Sequence, residues 1–309
     1  MQTVLITGGT GLVGKALTKH LAGKGYRIVI LTREPANKQN NQSVSYAAWD
    51  IKKQTIDVEA VKSADFIIHL AGAGVVAHKW TAAYKKEIVE SRTLSSKLLI
   101  DTLKSNTHKV KAIVSASAIG WYGADKETGH SFIESDKAAD DFLGQTCLLW
   151  EQSIEPAAAA GIRVCKLRTG IVLDNNGGAL AEFKKPVRFG IAGILAGGKQ
   201  IVSWIHIDDL CRMYSHAIEN DGVIGSYNAV APRPVSNKEL TLQLAKSIRG
   251  SFFVPMHVPG FVLKLMMGDR SKEVLKSTTV SCAKIKETGF TFLYPSLEAA
   301  LEELRRGND

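Results

Sequence analysis

The stretch Thr3–Gly14, with the sequence TVLITGGTGLVG, decides the fold of this 309-residue chain. Its first part, Thr3–Thr7, is a β-branched run that stops at glycines, a pattern typical of a buried parallel strand. The residues that follow, Leu12–Leu21, repeat apolar side chains at the spacing of one helix face. The stretch therefore predicts a strand, a tight glycine loop and a helix in immediate succession.

The glycine loop has the spacing Gly8-x-x-Gly11-x-x-Gly14, which in this strand-to-helix context predicts a dinucleotide phosphate site. Gly8 permits the tight turn, Gly11 lets the backbone approach a pyrophosphate, and Gly14 lets the helix pack closely on the strand. The free N–H groups and the positive dipole end of the helix then face the anion. We expect the cofactor to contact this loop through Thr7, Gly8, Thr10, Gly11, Leu12, Val13 and Gly14.

Strand and helix patterns keep alternating beyond this loop. Strands are predicted at 27–32, near 44–48, within 65–71, at 110–115 and at 163–168, and helices at about 80–106 and 138–161. This alternation predicts the α/β class, with a Rossmann-like doubly wound parallel sheet that binds its ligands at the carboxyl ends of the strands.

The local composition of the sequence changes after Leu173, where glycines are mixed with apolar and basic residues. We expect irregular loops over the site there, then a helix at 237–249, a Pro-rich crossing at 252–259 and a last helix at 296–305. The predicted organisation is a dinucleotide-binding domain at 1–235, entering the lobe after about residue 173, and a small C-terminal substrate lobe at 236–309.

The composition and charge of the chain limit the kinds of ligand and partner that we expect. The chain has 39 Lys+Arg and 30 Asp+Glu, a formal net charge of +9, but its basic residues are scattered and no aromatic platform accompanies them. We therefore expect small anionic ligands, such as phosphorylated molecules, and no nucleic acid. The four cysteines are widely spaced, which predicts no disulfide framework and no metal site. No spanning segment or signal peptide is evident, so we expect a cytoplasmic protein without a membrane partner.

The choice of cofactor depends on the end of the second strand, which reads Leu31-Thr32-Arg33. An acidic residue there would bond a ribose 2′-hydroxyl, whereas an arginine pairs with a 2′-phosphate. Because Glu34 comes one residue too late for the acidic role, NADP(H) is favoured over NAD(H). Asp50 either meets the adenine edge or caps its own loop, and the sequence leaves both open.

Several motifs along the chain resemble one family. The loop TGGTGLVG (7–14), the loop LAG (70–72) and the segment SASAIGWYG (115–123) are similar to those of extended short-chain dehydrogenase/reductases. Further motifs resemble the atypical branch of epimerase family proteins, which ends in a small domain of unknown function: WD (49–50), ESR (90–92), WE (150–151), RTG (168–170), GGAL (177–180), SWIHIDD (203–209) and YNAVAP (227–232). The resemblance covers nearly the whole chain.

This resemblance implies further cofactor contacts. It places Thr32 and Arg33 at the adenosine phosphate, and Leu70 and Ala71 where the chain crosses the ribose and pyrophosphate. It also implies contacts from Glu87, Arg92 and Val172, the last near the nicotinamide. A homodimer through the long helices from Trp80 and Ala138 is expected on the same ground.

The family's proton chemistry uses a Ser, a Tyr and a Lys, of which only the Ser has a match, Ser117. The Tyr-x-x-x-Lys motif belongs on the helix at 142–151, FLGQTCLLWE, which has neither residue. The literal match Tyr122-Gly-Ala-Asp-Lys126 sits in a turn, where a glycine opposes the helical geometry, so we interpret it as a coincidence. A cation near the tyrosine matters because an unperturbed tyrosine pKa is about 10.

Other groups must then move protons if the protein is catalytic. His206 and Asp208 are the candidates beside Ser117, because a carboxylate can orient a histidine ring, although this segment could equally be structural. Glu134 and Asp136 either contact substrate or cap the next helix. Cys147 reads as a buried, inert thiol.

Two functions follow from these residues. The first is an NADP(H)-dependent oxidoreductase or epimerase acting on a small polar substrate, with reduction favoured by the cofactor preference. The second is a non-catalytic NADP(H)-binding sensor or interaction protein, because the Tyr and the Lys are missing.

Overall fold

The computed structural model describes residues 1–127 and 129–307, and a large, mostly parallel sheet organises them. Its strands, labelled in chain order, are β1 (Thr3–Thr7), β2 (Arg27–Thr32), β3 (Val44–Asp50), β4 (Thr55–Ile56), β5 (Phe66–His69), β6 (Ala112–Ala118), β7 (Arg163–Thr169) and β12 (Gly225–Ala229). Across the sheet the order is β12-β7-β6-β5-β1-β2-β3-β4.

Strand β1 holds the centre of this sheet. All five of its residues are buried, and it pairs in parallel with β2 on one side and β5 on the other. Among the described strands of the sheet, β4 departs from this direction, since it pairs antiparallel with β3. The doubly wound parallel sheet predicted from the sequence is confirmed.

Helices cover both faces of the sheet. The described helices of the sheet and the lobe are α1 (Leu12–Gly23), α2 (Val58–Lys62), α3 (Ala82–Ser105), α4 (Phe142–Ile154), α5 (Gly178–Arg188), α6 (Ile207–Glu219), α7 (Asn237–Arg249), α8 (Gly260–Met267), α9 (Ser271–Leu275), α10 (Ala283–Glu287) and α11 (Leu297–Arg306). Helices α1 and α6 pack together on one face, where Leu17 and Leu21 meet Tyr214 in one core. Helices α3 and α4 pack together over the other face.

The predicted helix at 138–161 is shorter in the structure. It begins at Phe142, because the side chain of Asp141 accepts a hydrogen bond from the N–H of Gly144 at 2.8 Å and caps it. It ends at Ile154, after which Glu155–Ala160 tightens into a 3₁₀ segment that contains Pro156.

The region after Leu173 corrects the sequence-based expectation of irregular loops. It contains α5 and the strands β9 (Ile191–Leu195), β10 (Ile201–Val202), β11 (Trp204–His206) and β13 (Val235–Ser236), and β8 (Ile171–Leu173) immediately precedes it. The Pro-rich crossing at 252–259 contains β14 (Val254–Val258), which pairs in parallel with β9. These strands are short and lie in two-stranded sheets, so each carries too little periodicity to be recognised alone.

The lobe has a core of its own, built from both sides of residue 235. Leu180 and Trp204 pack there with Leu240, Leu297 and Leu301. Residues on both sides of position 235 therefore share this core. No described helix has the length and apolar character needed to cross a membrane.

Candidate functional site

The glycine loop between β1 and α1 is closely packed behind and open in front. A Cβ built on Gly8 would lie 2.9 Å from the carbonyl carbon of Leu70, and one on Gly14 would lie 2.3 Å from the carbonyl oxygen of Gly8. Gly8 also has a φ of +69°, which favours glycine. No side chain caps α1 at Gly11. Thr10 and Gly11 are exposed, so the first N–H groups of the helix lie at an open loop without a side-chain partner, which fits a pyrophosphate.

Thr7 lies behind this loop, and its fully buried hydroxyl is engaged in the fold. The oxygen accepts hydrogen bonds from the N–H groups of Leu70 and Ala71, both at 3.1 Å, and it lies 2.8 Å from Nδ1 of His69. The side chain of Thr7 thus positions the crossing loop after β5, where Leu70 and Ala71 are predicted to contact the cofactor.

The end of β2 presents Arg33 to solvent. The neighbouring carboxylate of Glu34 is engaged by the side-chain amide of Asn37 at 3.0 Å, and the N–H of Glu34 donates to the hydroxyl of Thr32 at 3.4 Å. Within the described residues, Arg33 has no carboxylate within 4.0 Å. Its guanidinium is free to pair with a phosphate.

Asp50, for which the sequence left two roles open, caps its own turn. One oxygen of its carboxylate accepts hydrogen bonds from the N–H groups of Lys52 at 2.9 Å and Lys53 at 3.1 Å. The loop-cap role is therefore present in the structure, and a contact with adenine would have to use the second oxygen.

Arg92 is the buried cation of the site. Only 8% of the residue is exposed, and its guanidinium stacks on the ring of Trp150 with the carbon 4.7 Å from the ring centroid. Nη1 donates to the carbonyl oxygens of Ala73 at 3.1 Å and Ile88 at 2.8 Å, and a Cβ on Gly72 would lie 3.0 Å from the guanidinium carbon. Burial lowers the pKa of Arg92, and no carboxylate of the described chain is within 4.0 Å to offset that cost.

Tyr84 reaches the same loop from the same helix, α3. Its hydroxyl donates to the carbonyl oxygen of Gly74 at 2.5 Å, next to the carbonyl that Arg92 holds. Arg92 and Tyr84 also interact electrostatically. Sequence reasoning missed Tyr84, because nothing in the pattern of α3 distinguishes it from a core tyrosine.

The other residues implied by the resemblance lie around this edge. Glu87 is exposed on α3, and the ion pair that does form nearby joins Lys86 to Glu90 at 3.6 Å. Val172 is half-buried in β8, and its carbonyl oxygen would lie 3.9 Å from a Cβ on Gly178. The structure adds nothing that assigns either residue to a ligand.

The loop before α5 meets the glycine loop. A Cβ built on Gly178 would lie 3.1 Å from Cδ2 of Leu12, and one on Gly177 would lie 3.5 Å from its Cδ1. Leu12 thus joins the amino terminus of α1 to the loop before α5.

Helix α4 turns an apolar surface toward the end of β6. A Cβ on Gly120 would lie 3.3 Å from Cβ of Leu143 and 3.8 Å from Sγ of Cys147. These two residues have the four-residue spacing of Tyr-x-x-x-Lys, and they lie on the helix where the family carries that motif. Burial raises the pKa of Cys147 to about 12, so its thiol does not exchange protons at neutral pH.

Ser117 is in a buried polar cluster on the same face of the sheet. The residue is 3% exposed, and its hydroxyl donates to Oε1 of Glu151 at 2.7 Å. The same carboxylate binds Arg168 twice, at 2.8 Å and 3.0 Å, and accepts a hydrogen bond from Ser226 at 2.9 Å. The catalytic role predicted for Ser117 would require this hydrogen bond to be exchanged for one to a substrate.

The interpretation of Tyr122 and Lys126 as a coincidental motif agrees with their surroundings. The hydroxyl of Tyr122 donates to Asn228 at 2.6 Å and accepts from Arg168 at 3.0 Å, and burial raises its pKa to about 12. Lys126 is exposed. Tyr122 therefore belongs to the buried cluster around Arg168.

His206 and Asp208 stand apart from Ser117. His206 is the N-cap of α6, where its Nδ1 accepts a hydrogen bond from the N–H of Asp208 at 3.2 Å, and burial lowers the pKa of its ring. Helix α6 covers the face opposite α3 and α4, whereas the hydroxyl of Ser117 turns toward α4. The structure does not bring these three residues into one constellation.

Glu134 and Asp136 both support the fold. The carboxylate of Glu134 accepts from the N–H of Asn228 at 2.8 Å, and that of Asp136 accepts from the N–H of Ile133 at 2.8 Å. Neither caps α4, since Asp141 does so. The four cysteines are free and buried, and no group of described His, Cys, Asp or Glu residues is arranged to hold a metal.

The pairing of Glu151 with Arg168 was also missed by sequence reasoning. Both residues were visible as parts of separate motifs, WE and RTG. The available signal was one carboxylate in an otherwise uncharged helix and an arginine in the buried strand that follows it, because buried charges need partners.

A parallel sheet with an open glycine loop at its carboxyl edge defines a dinucleotide-binding protein of the short-chain dehydrogenase/reductase type. Residues 4–229 match the NAD dependent epimerase/dehydratase family, and residues 258–304 match a domain of unknown function, DUF1731. The chain belongs to this epimerase family.

Relatives and solved structures agree with that assignment. An epimerase family protein of Staphylococcus saprophyticus is 34% identical over 307 residues, 98% of this chain and 99% of the relative. The crystal structure of human epimerase family protein SDR39U1 (isoform 2) with NADPH is 26% identical, has a TM-score of 0.85 and covers 99% of both chains. A nucleoside-diphosphate sugar epimerase from Corynebacterium glutamicum is 31% identical with a TM-score of 0.76, covering 99% of this chain and 58% of that one.

Proposed function

We propose that this chain is an NADP(H)-dependent oxidoreductase that reduces a small-molecule substrate at the carboxyl edge of its sheet. The observation that carries the proposal is the set of anion-binding groups at that edge. The uncapped amino terminus of α1 is joined there by Arg33 and Arg92, neither of which has a carboxylate partner among the described residues. A cofactor with a pyrophosphate and a 2′-phosphate matches this distribution of positive charge.

The likeness to the NADPH-bound human protein supports the same cofactor. When bound, the nicotinamide would supply the hydride, and NADPH as the bound form favours reduction over epimerisation. Thr32 and Arg33 would hold the adenosine phosphate. Leu70, Ala71 and Arg92 would hold the part of the cofactor that crosses β5.

The proton must come from a group other than Leu143 and Cys147, because leucine has no ionisable proton and the thiol, whose pKa burial raises to about 12, does not release its own at neutral pH. We propose Tyr84 as the proton carrier, with Arg92 as the nearby cation that lysine provides in the family at large. Ser117, His206 and Asp208 remain predictions for the same role, and their separation across the sheet makes a single shared mechanism unfavourable.

The first experiment is a thermal titration with NADPH, NADP⁺ and NADH. A ligand at 100 times its Kd adds about 2.7 kcal/mol of stability, so a bound cofactor gives a clear rise in Tm. We expect a larger rise with NADPH than with NADH. The second experiment follows the absorbance of the reduced nicotinamide while carbonyl compounds are screened. The variant Tyr84→Phe should keep the NADPH shift and lose the turnover, whereas retained turnover would exclude Tyr84.

The alternative function is a non-catalytic NADP(H)-binding sensor. The engaged hydroxyl of Ser117 and the inert residues Leu143 and Cys147 favour it. A sensor would show the NADPH shift without oxidising the cofactor for any carbonyl tested, and Ser117→Ala would leave its ligand response unchanged.

A further inference from the structure

The C-terminal lobe leaves an apolar surface uncovered. Six large side chains, each between 51% and 85% exposed, lie in or beside β14 and α8, and we call them the lobe patch: Phe252, Val254, Met256, Phe261, Leu265 and Met266. Apolar residues cover almost the whole surface of α8, but Leu263 alone among the residues of this helix is buried.

Neighbouring segments extend this surface. Phe189, also exposed, precedes Gly190, whose carbonyl oxygen accepts from the N–H of Val254 at 2.8 Å. On the other side, Arg270 follows α8 and donates to the carbonyl oxygen of Val76 at 2.6 Å, in the loop after β5. The side chain of Val76 is exposed as well. The exposed apolar residues therefore follow one another along the chain from β14 into α8. Through Arg270, this segment contacts the loop after β5, at the edge of the site.

A surface of this kind requires a partner. Folded monomers rarely leave a large contiguous apolar patch in water, and a helix that is apolar on nearly all sides is normally buried. The three possible occupants are a second copy of the chain, another protein and a lipid surface.

The charges beside the lobe patch favour a lipid surface. Arg188, Arg249, Lys264 and Lys272 are exposed next to it, and in the described part of the chain none has a carboxylate within 4.0 Å. Of the acidic residues that the structure describes between 260 and 276, Asp269 is exposed, and Glu273 is half-buried and pairs with Lys276 at 2.6 Å. A net positive rim around an apolar centre is the pattern of proteins that lie on anionic bilayers.

A second copy fits less well. A two-fold contact through the lobe patch would place two basic rims against each other, and like charges repel there. Pairing through the free edge of β14 is also disfavoured, because Pro255 has no N–H to donate to another strand.

We propose that the lobe patch docks the protein on an anionic lipid surface. The aromatic and aliphatic side chains enter the boundary between head groups and acyl chains, while the lysines and arginines meet the phosphates. The expectation of no membrane partner rests on the lack of a spanning segment, which does not bear on peripheral docking. This proposal is independent of the proposed oxidoreductase function.

The test is co-sedimentation of the full chain with vesicles of phosphatidylcholine, with and without about 30% phosphatidylglycerol. We expect binding to the anionic vesicles that weakens as salt is raised, because the electrostatic part is screened. The double variant Phe261→Asp/Leu265→Asp should lower the partition by about tenfold or more, and Lys264→Glu/Lys272→Glu should lower it on anionic vesicles. The matched control is Ile224→Asp, an exposed apolar residue at the amino end of β12.

Three results would overturn the proposal. The first is that the folded wild-type chain stays in solution with both kinds of vesicle. The second is that Ile224→Asp lowers the partition as much as the double variant. The third is a dimer in solution, seen by its concentration dependence, that Phe261→Asp/Leu265→Asp dissociates while vesicles bind nothing. Unchanged Tm values for the variants would show that the fold is intact, as expected from the exposure of these side chains.

Discussion

The hydroxyl of Thr7 donates to Nδ1 of His69 across 2.8 Å, and this hydrogen bond fixes the protonation state of the histidine. The Thr7 oxygen already accepts from the N–H groups of Leu70 and Ala71, so its one hydrogen must go to the imidazole. His69 is therefore neutral, with its proton on Nε2 facing Ser96 at 3.2 Å. Burial, reinforced by the charge of Arg92, lowers the pKa of His69 to about 3.

Because the pKa of His69 is lowered in the folded chain, we expect the protein to lose stability in mild acid. This pKa is 6.5 in the unfolded chain and about 3 in the folded chain, so between these values only the unfolded state binds the proton. The free energy of unfolding contributed by His69 is then complete above pH 6.5 and falls by about 1.4 kcal/mol for each pH unit below it. Denaturant unfolding of wild type and His69→Gln across this range measures the difference in slope.

The control for that experiment is His78→Gln, because His78 is exposed and has no carboxylate within 4.0 Å among the described residues. Equal slopes for wild type and His69→Gln would show that His69 is protonated in the folded state.

Two glycines of α1 should respond in opposite ways to alanine. In Gly14→Ala the new Cβ would lie 2.3 Å from the Gly8 carbonyl oxygen, so we expect a loss of about 1–3 kcal/mol or more and a weaker NADPH shift. Gly23, in the same helix, has nothing within 4 Å of such a Cβ, and Gly23→Ala should be neutral or stabilise by up to about 1 kcal/mol. Denaturant unfolding without cofactor compares them. Similar losses in both variants would contradict the close approach of α1 to the loop.

We expect Arg33 to determine the preference of the protein for NADPH over NADH. Because a charged hydrogen bond contributes about 1.5–3 kcal/mol, Arg33→Ala is expected to weaken NADPH by roughly 10- to 100-fold and to leave NADH unchanged. Calorimetric titration measures both. Arg27, exposed at the opposite end of β2, is the matched control, and Arg27→Ala should bind NADPH like wild type. An equal loss for NADPH and NADH would mean that Arg33 does not meet the 2′-phosphate.

Moving the buried cation from Arg92 on α3 to a lysine at position 147 on α4 should restore part of what the loss of Arg92 removes. Because Arg92 already places a buried positive charge near Cys147, the variant Cys147→Lys should lose about 3 kcal/mol or more of stability. Arg92→Met should retain stability without cofactor and lose affinity for NADPH. In the double variant Arg92→Met/Cys147→Lys, the loss caused by the lysine should shrink, and part of the NADPH affinity should return.

A double-mutant cycle of unfolding free energies and NADPH affinities measures this coupling. Strictly additive effects would show that the two side chains do not share one environment. The structure would then not support Arg92 as the replacement for the family's lysine.

The sequence predicted the sheet well where one strand or helix carries its own signal. The buried run Thr3–Thr7 and the strand Arg27–Thr32 are in place, because parallel strands buried on both faces are continuously apolar. It failed at β9 and β14, which lack the continuous burial of β1 and pair with each other, while α5 and α7 pack against β9. Their pairing joins residues some 60 positions apart, so no local pattern announces it.

The candidate site divides in the same way. The sequence by itself determined the glycine loop and the position of Arg33, because the spacing of glycines and the residue that ends β2 are local properties of the chain. The tertiary structure alone decided that Thr7 supports the crossing loop and that Ser117 faces Glu151. It likewise placed the guanidinium of Arg92 on Trp150 and left the lobe patch in solvent. Those outcomes depend on which side chains of distant segments share a burial site, and burial is a property of the folded chain.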